Sequence, residues 1–151
     1  MATAPTPKTP KTYRPPISSK LAASHIQKFM TRKVIYASPS TTVEVAMKMM
    51  LMHKISGLVI VDQTEACLGV YSEMDAMLQG ASQALEKPIR YTKPALTLRP
   101  ETPFREALIL MAKKRVKRLI ISDSRNKLVG VVSRRDLMRA IFDDAQEHKQ
   151  E

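Results

Sequence analysis

The sequence Gly-Val-Tyr-Ser-Glu-Met-Asp occupies residues 69–75, and Gly-Val-Val-Ser-Arg-Arg-Asp occupies residues 130–136. In both copies an apolar run rich in β-branched residues leads up to the serine, and a stretch compatible with a helix follows it. The pattern predicts a strand that passes directly into a helix. It occurs twice in one chain, at an interval of 61 residues.

The surrounding sequence repeats at the same interval. Residues 34–79 align with residues 95–140 without a gap. Identical pairs include Pro39/Pro100, Thr41/Thr102, Ala46/Ala107, Met50/Met111, Leu58/Leu119, Asp62/Asp123, Gly69/Gly130, Val70/Val131, Ser72/Ser133, Asp75/Asp136 and Met77/Met138. A gapless match in both identity and apolar pattern indicates an internal duplication.

Each copy is predicted to contain a strand, a helix, two strands joined by a turn, and a closing helix, which is an α/β (α+β) arrangement. The predicted elements of the first copy are Val34–Tyr36, Val43–His53, Leu58–Val61, Cys67–Tyr71 and about Ser72–Gln79. Those of the second are Ala95–Leu98, a helix that begins near Phe104, Leu119–Ile121, Leu128–Val132 and Ser133–Glu147. Thr41 and Glu44 have the spacing of a capping box, and Pro103 is expected as the first residue of the matching helix.

The duplication sets the expected domain organisation. Residues 1–17 are rich in proline and basic residues, so we expect a disordered tail. The first repeat, with a leading helix from Ser18 or Ser19 to about Met30, is expected over residues 18–80. Residues 81–94 form the linker, where Pro88 and Pro94 disfavour a continuous helix. The second repeat, with a C-terminal helix, is expected over residues 95–151.

The serine and the aspartate of the repeated motif have two interpretations. A serine at a helix N-terminus can help to bind a phosphate, and an aspartate one turn further along can accept both hydroxyls of a ribose. The same pair is also an ordinary N-terminal cap. Because the pair occurs at equivalent positions in both copies, we favour a nucleotide site. The motif glycine would let the backbone bend or let a ligand approach closely.

The net charge and the composition indicate which partners and which kinds of site are expected. The net charge is +11, and residues 1–33 contribute seven cations and no acid. This excess favours anionic partners or serves solubility, and the sequence leaves both open. We expect no membrane span, no signal peptide, no metal site and no catalytic residue. The single Cys67 favours the cytoplasm.

These motifs together resemble the CBS domain family, whose domains occur as tandem pairs called Bateman modules. In the first copy the likeness rests on Phe29-Met30-Thr31, Ser38-Pro39, Thr42-Val43 with Ala46, Ile55–Asp62 and Gly69–Asp75. In the second copy it rests on Arg99-Pro100, Thr102-Pro103, Glu106-Ala107, Leu119–Ile121 and Gly130–Leu137. The likeness covers roughly residues 26–142.

The resemblance implies that the two repeats pack by their sheets about a pseudo-twofold axis and form two clefts for adenosine ligands, with AMP, ADP or ATP favoured. Asp75 and Asp136 would hold ribose, and Ser72 and Ser133 would contact phosphate. The backbone near Gly57-Leu58 and Arg118-Leu119, and near Tyr36 and Thr97, would flank the base. No cofactor is required, and a homodimer is expected.

Two further expectations concern charge and output. We expect Arg118 and Arg134 to make the Ser133/Asp136 site the more basic and the tighter of the two. We expect a sensor that reports ligand state to a separate, unknown protein and is not an enzyme. The alternative is an adaptor that binds protein or nucleic acid and has vestigial clefts.

Overall fold

The computed structural model describes residue 4, residues 17–82 and residues 84–149, so the predicted tail, apart from residues 4 and 17, lies outside the described residues. The helices are α1 (Ser19–Ala23), α2 (Val43–His53), α3 (Glu73–Ser82), α4 (Phe104–Lys114) and α5 (Arg134–Lys149). The strands are β1 (Tyr36–Ala37), β2 (Gly57–Val61), β3 (Cys67–Ser72), β4 (Thr97–Leu98), β5 (Arg118–Ser122) and β6 (Leu128–Ser133).

The duplication is confirmed residue by residue. Strands β1 to β3 and helix α2 reappear 61 positions later as β4 to β6 and α4, with the same bounds relative to the repeat. Even the left-handed backbone positions are related in this way, because Lys54 matches Arg115 and Glu65 matches Asn126. The predicted order of strand, helix, strand, strand, helix is therefore correct for both repeats.

Each repeat contributes one three-stranded sheet, and the two sheets have the same topology. The order is β1-β2-β3 in the first and β4-β5-β6 in the second. The outer short strand runs parallel to its neighbour, while the last two strands are antiparallel. The register pairs Gly57 with Ser72 and Arg118 with Ser133, so both motif serines stand at the end of a strand.

The two sheets pack against each other through a small apolar layer. Val59, Val61, Cys67 and Ile120 are buried together in this layer. The hairpin turns of the two repeats also pair, because the Cys67 amide donates to the Asn126 carbonyl at 2.9 Å and the Leu128 amide donates to the Glu65 carbonyl at 3.0 Å. These contacts support the predicted packing of sheet on sheet.

In each repeat the last strand also pairs with a short segment of the chain that leads into the other repeat. The linker residue Thr92 exchanges two backbone hydrogen bonds with Val70 of β3, each 2.9 Å long. Thr31, the residue that matches Thr92 in the repeat, does the same with Val131 of β6. The chain therefore interlocks the two sheets with a matched pair of crossing segments.

The crossing segments explain the two motif glycines. A Cβ placed on Gly69 would collide with the carbonyl oxygen of Thr92 and would lie 2.7 Å from the Tyr91 ring. A Cβ on Gly130 would lie 2.5 Å from the Met30 sulfur and 3.0 Å from the Thr31 carbonyl. The expectation that these glycines let a ligand approach is therefore wrong, since the chain itself fills the space.

The predicted leading helix is shorter than expected. Helix α1 ends at Ala23, and only a 3₁₀ turn, Ile26–Lys28, follows it. The break has a tertiary cause, because the amides of Ile26 and Gln27 donate to the carbonyls of Thr102 and Pro100. Ser18 caps α1 as expected, accepting from the Leu21 amide at 3.0 Å.

The predicted N-cap of each of these two helices shifts by one residue, although α2 begins at Val43 as predicted. The cap of α2 is Thr42, whose hydroxyl accepts from the Val45 amide at 3.3 Å, whereas the Thr41 hydroxyl accepts from the Ser38 amide. The capping box of Thr41 with Glu44 is therefore wrong. Pro103 is the N-cap of α4 and not its first helical residue. Within the described residues, no helix is both long and apolar enough to cross a membrane.

The carboxyl groups of Asp62 and Asp123, in the two hairpin turns, are expected to make the stability of the protein sensitive to acid. Hydrogen bonds from Thr64 hold the pKa of Asp62 below its usual value, and a hydrogen bond from the Lys127 amide does the same for Asp123. A carboxylate whose pKa is lowered by folding stabilises the protein above the unfolded pKa, and this contribution is lost as the pH falls through the folded pKa. We therefore expect the melting temperature of Asp62→Asn and Asp123→Asn to fall less steeply below about pH 3.8 than that of the wild type. If the melting temperatures of the variants and of the wild type fell equally steeply in this pH range, this explanation would be contradicted.

Candidate binding clefts between the repeats

Two clefts lie at the junction of the repeats, one beside each motif serine. The Ser72 cleft has a volume of about 390 Å³ and the Ser133 cleft about 210 Å³. The Ser133 cleft takes its motif serine from the second repeat and most of its apolar wall from the first, whereas the apolar wall of the Ser72 cleft comes from both repeats and from Pro94 of the linker. A ligand in either cleft would therefore touch both repeats.

The two clefts are related by the internal repeat. In this pairing the residue of the Ser72 cleft comes first: Thr92/Thr31, Leu96/Ile35, Val116/Ile55, Arg118/Gly57, Ile120/Val59 and Val70/Val131. The walls are mostly aliphatic and each includes a motif serine, so they combine apolar surface with a polar group, as small-molecule sites do. The pseudo-twofold relation thus extends from the fold to the clefts.

Each motif serine and aspartate form a reciprocal pair at the start of a helix. The Ser72 amide donates to Asp75 Oδ2 at 2.9 Å, and the Asp75 amide donates to the Ser72 hydroxyl at 3.1 Å. In the second repeat the same bonds join Ser133 and Asp136 at 2.8 and 3.1 Å. These are the hydrogen bonds of an N-terminal cap, so the capping interpretation is correct.

The capping hydrogen bonds leave one carboxylate oxygen of each motif aspartate available to a ligand. In both aspartates the bonded oxygen is Oδ2, and Oδ1 has no donor among the residues that the structure describes. Both carboxylates are only partly buried. The free oxygen is a hydrogen-bond acceptor that suits the hydroxyls of a ribose, and the capping bonds hold it in a fixed orientation.

Arg118 sits between the two clefts and contributes to both linings. Its guanidinium donates to the Ser56 hydroxyl at 2.7 Å and to the Gly57 carbonyl at 3.1 Å, both in the other repeat. Burial lowers the pKa of Arg118, and the nearby Glu73 opposes this shift. Arg118 occupies the position of Gly57 in the repeat, so the cleft linings depart from the internal symmetry at this position.

The structure brings together some of the predicted site residues. Those that line a cleft are Ser72, Ser133, Asp136, Gly57, Leu58 and Arg118. Asp75 adjoins its cleft through its hydrogen bonds to Ser72. The remaining four lie elsewhere. Leu119 is fully buried in the core of the second repeat, and Tyr36 lines a different groove.

Arg134 and Thr97 also lie away from both linings. The Arg134 side chain donates to the carbonyls of Val116 and Arg115, at the C-terminal end of α4. Carbonyls at a helix C-terminus attract cations, which explains the position. Thr97 belongs to β4 and pairs with Ile120.

The cleft linings do not show the expected excess of cations at the Ser133/Asp136 site. Lys117 lines the Ser72 cleft, Lys33 lines the Ser133 cleft, and Arg118 lines both. The two clefts therefore differ in volume more than in lining cations. The Ser72 cleft is the larger of the two, so volume favours the opposite order of affinity from the one that charge predicted, and the order itself stays a prediction.

Sequence reasoning missed the crossing residues Thr31 and Thr92, which line the clefts. They lie just before the first predicted strand of each repeat and match each other at the interval of 61 residues. Extending the repeat comparison upstream by a few positions would have shown the pair.

Comparison with known proteins supports this picture. The CBS domain family matches the chain twice, over residues 23–79 and 88–143. An uncharacterized 17.7 kDa protein of Acidianus ambivalens is 30% identical over 123 residues, which make up 80% of this chain and 75% of that protein.

Two solved structures have a similar fold. The structure of CBSX2 in complex with AMP matches with a TM-score of 0.68 and 24% identity, covering 83% of this chain and 98% of that one. The CBS domain pair of protein MJ0100, in complex with 5′-methylthioadenosine and S-adenosyl-L-methionine, matches with a TM-score of 0.71 and 22% identity. The match covers 80% of this chain and 98% of that one.

Proposed function

The chain belongs to the CBS domain family, and we propose that it is a non-catalytic regulatory module whose clefts bind an adenine nucleotide. The observation that carries the proposal is the duplicated serine–aspartate pair, fixed by the same two hydrogen bonds beside each cleft. In both copies the second carboxylate oxygen, Oδ1, has no donor among the described residues, so each pair can cap its helix and still accept a hydrogen bond from a ligand. The AMP complex of CBSX2 and the adenosine ligands of MJ0100 support the same ligand class.

The surrounding charges favour a nucleotide over S-adenosylmethionine. Arg118 and Lys117 line the Ser72 cleft, and helix α3 begins at Glu73, directly after the cleft residue Ser72. Cations and a helix N-terminus attract phosphate, whereas they repel a sulfonium and an ammonium group. AMP, ADP and ATP are therefore the proposed ligands.

We expect the Ser72 cleft to fill first. Its volume of about 390 Å³ falls within the range of roughly 300–1,000 Å³ that small-molecule pockets occupy, whereas the Ser133 cleft, at about 210 Å³, falls below it. Asp75 would hold the ribose in this first site, with Asp136 in the same role at the second.

Regulation would follow from the position of the clefts between the repeats. A ligand that contacts both repeats stabilises one arrangement of them relative to another only if it binds that arrangement more tightly. The readout would pass to a separate protein. The cytoplasmic location also stays a prediction.

A homodimer is part of this proposal. Helices α3 and α5 expose apolar side chains at matching positions, including Met77 and Met138, which are 56% and 62% exposed, and Phe142, which is 60% exposed. Apolar surface of this kind is usually covered by a partner, and a second copy would meet it with the same residues. We expect Phe142→Glu to shift the protein to monomer in analytical ultracentrifugation. Gln63→Glu adds the same charge at an exposed polar residue of the first hairpin turn and should leave the association unchanged. A wild-type monomer would refute the dimer.

A polyanion-binding adaptor is the second candidate. The exposed residues Lys113, Lys114 and Arg115 end α4, and the exposed Arg134 and Arg135 begin α5 beside them. If this surface binds RNA or DNA, the affinity falls steeply with salt concentration. Such a result without any nucleotide binding would favour the adaptor.

The ligand is identified by thermal-shift titration with AMP, ADP, ATP, adenosine and S-adenosylmethionine. A ligand that binds only the folded protein raises the melting temperature with its concentration. We expect the phosphorylated ligands to raise it more than adenosine, and S-adenosylmethionine to raise it least. No shift with any nucleotide would defeat the proposal.

A further inference from the structure

An open groove lies on the first repeat, away from both clefts. Its volume is about 790 Å³, and its walls are the end of β1, the loop at residues 38–41, Met49 of α2 and the hairpin turn at residues 61–64. None of these residues lines either cleft. The groove is therefore a separate feature, and its occupant is independent of the proposed nucleotide function.

In the second repeat an arginine side chain occupies the equivalent place. The guanidinium of Arg99 donates to the Ser122 carbonyl at 3.0 Å, to the Ser122 hydroxyl at 2.9 Å and to the Asp123 carbonyl. Ser122 is fully buried beneath it. Arg99 thus bridges the loop that follows β4 and the turn that follows β5.

The internal repeat shows why the first repeat has a groove there. Arg99 matches Ser38, which is too short to reach the turn. Asp123 matches Asp62, whose backbone follows the same path, because the register shift before Val61 recurs before Ser122. The first repeat therefore presents the turn carbonyls at 61 and 62 without the side chain that bonds their equivalents.

The chemistry of the groove also suits a guanidinium. Among the residues that the structure describes, Asp62 is the only charged one in the lining, and hydrogen bonds from Thr64 lower the pKa of its carboxyl. Lys127, the cation that interacts with this carboxylate, does not line the groove. Tyr36, which is 47% exposed, adds an aromatic face on which a guanidinium can stack.

We infer that this groove binds an arginine side chain of a protein partner, in the place that Arg99 fills in the second repeat. The planar guanidinium can donate to two carbonyls at once and stack on a ring, which the ammonium of lysine cannot do. The apolar wall from Pro39, Met49 and Val61 suits the aliphatic part of the arginine side chain.

The test uses N-acetyl-arginine amide as the probe and N-acetyl-lysine amide as its control, each titrated into the full chain and followed by backbone amide NMR. We expect saturable shifts centred on residues 61–64 with the arginine probe, and much weaker ones with the lysine probe. Ser38→Arg transplants the arginine of the second repeat into the groove, so it should abolish the shifts. It should leave AMP binding unchanged, which separates this inference from the nucleotide proposal.

Tyr36→Ala is a second variant that avoids any effect of Ser38→Arg on folding. The loss of ring stacking should weaken arginine-probe binding by about two- to five-fold. Equal binding of the two probes, shifts that survive Ser38→Arg, or no saturable shifts in the wild type would each overturn the inference.

Discussion

Replacing Gly69 with alanine is expected to destabilise the protein by about 3 kcal/mol, near the upper end of the usual cost of overpacking. The new methyl group would collide with the Thr92 carbonyl and lie 2.7 Å from the Tyr91 ring. Thr92 cannot retreat without breaking its two hydrogen bonds to Val70. Relief of the clash would therefore require the linker to detach from β3. Urea denaturation followed by circular dichroism measures the loss.

Gly130→Ala is the matched control, because it is the same substitution at the equivalent position. There the nearest atom is the Met30 sulfur, at the flexible end of a side chain, and the Thr31 carbonyl is 3.0 Å away. Methionine adapts readily to such a change, so we expect a loss of about 1 kcal/mol. Equal losses for the two variants, or a larger loss for Gly130→Ala, would contradict the role given to the crossing segments.

Replacing Arg118 with glycine is expected to weaken AMP binding by about ten- to a hundred-fold, the range expected for losing hydrogen bonds to a charged group. The substitution gives the second repeat the residue that the first has at Gly57. It removes a cation from both clefts. Adenosine, which carries no phosphate, should bind the variant almost as well as it binds the wild type. Isothermal titration calorimetry with both ligands gives this ratio.

Two control variants separate charge from structure. Arg118→Lys retains the cation and should recover part of the AMP affinity. Ser56→Ala removes the hydroxyl that accepts from Arg118 at 2.7 Å without changing the lining charge, so it should leave AMP affinity intact or raise it. If Arg118→Gly weakens AMP and adenosine equally, the residue acts by holding the repeats together and not by binding phosphate.

The duplication made most of the fold predictable from the sequence. The apolar periodicity and the Gly-to-Asp motif gave the same elements at the same positions in both repeats, and α2 has the predicted bounds, Val43–His53. Local errors arose where tertiary contacts compete with helix propensity. Ile26 bonds to the Thr102 carbonyl instead of continuing α1, which no local pattern announces.

The clefts were less predictable than the fold. The serine–aspartate pairs could be found because their chemistry recurs, but the placing of Arg134 could not, since its bonds to the end of α4 depend on how two helices meet. Leu119 is adjacent in sequence to a cleft residue, yet alternation along β5 turns its side chain into the core. Cleft volume, which favours the Ser72 side, is a property of packing alone.

Binding of an adenine nucleotide between the repeats is proposed to depend on the Ser72/Asp75 and Ser133/Asp136 pairs. Its most direct test is calorimetric titration of AMP into the wild type and into an Asp75→Ala, Asp136→Ala double variant. Asp144→Ala serves as the control, because Asp144 also accepts bonds from a serine amide and hydroxyl but lies outside both clefts. We predict saturable binding to the wild type and the control and none to the folded double variant. Undiminished binding to the double variant, or none to the wild type, would contradict the claim.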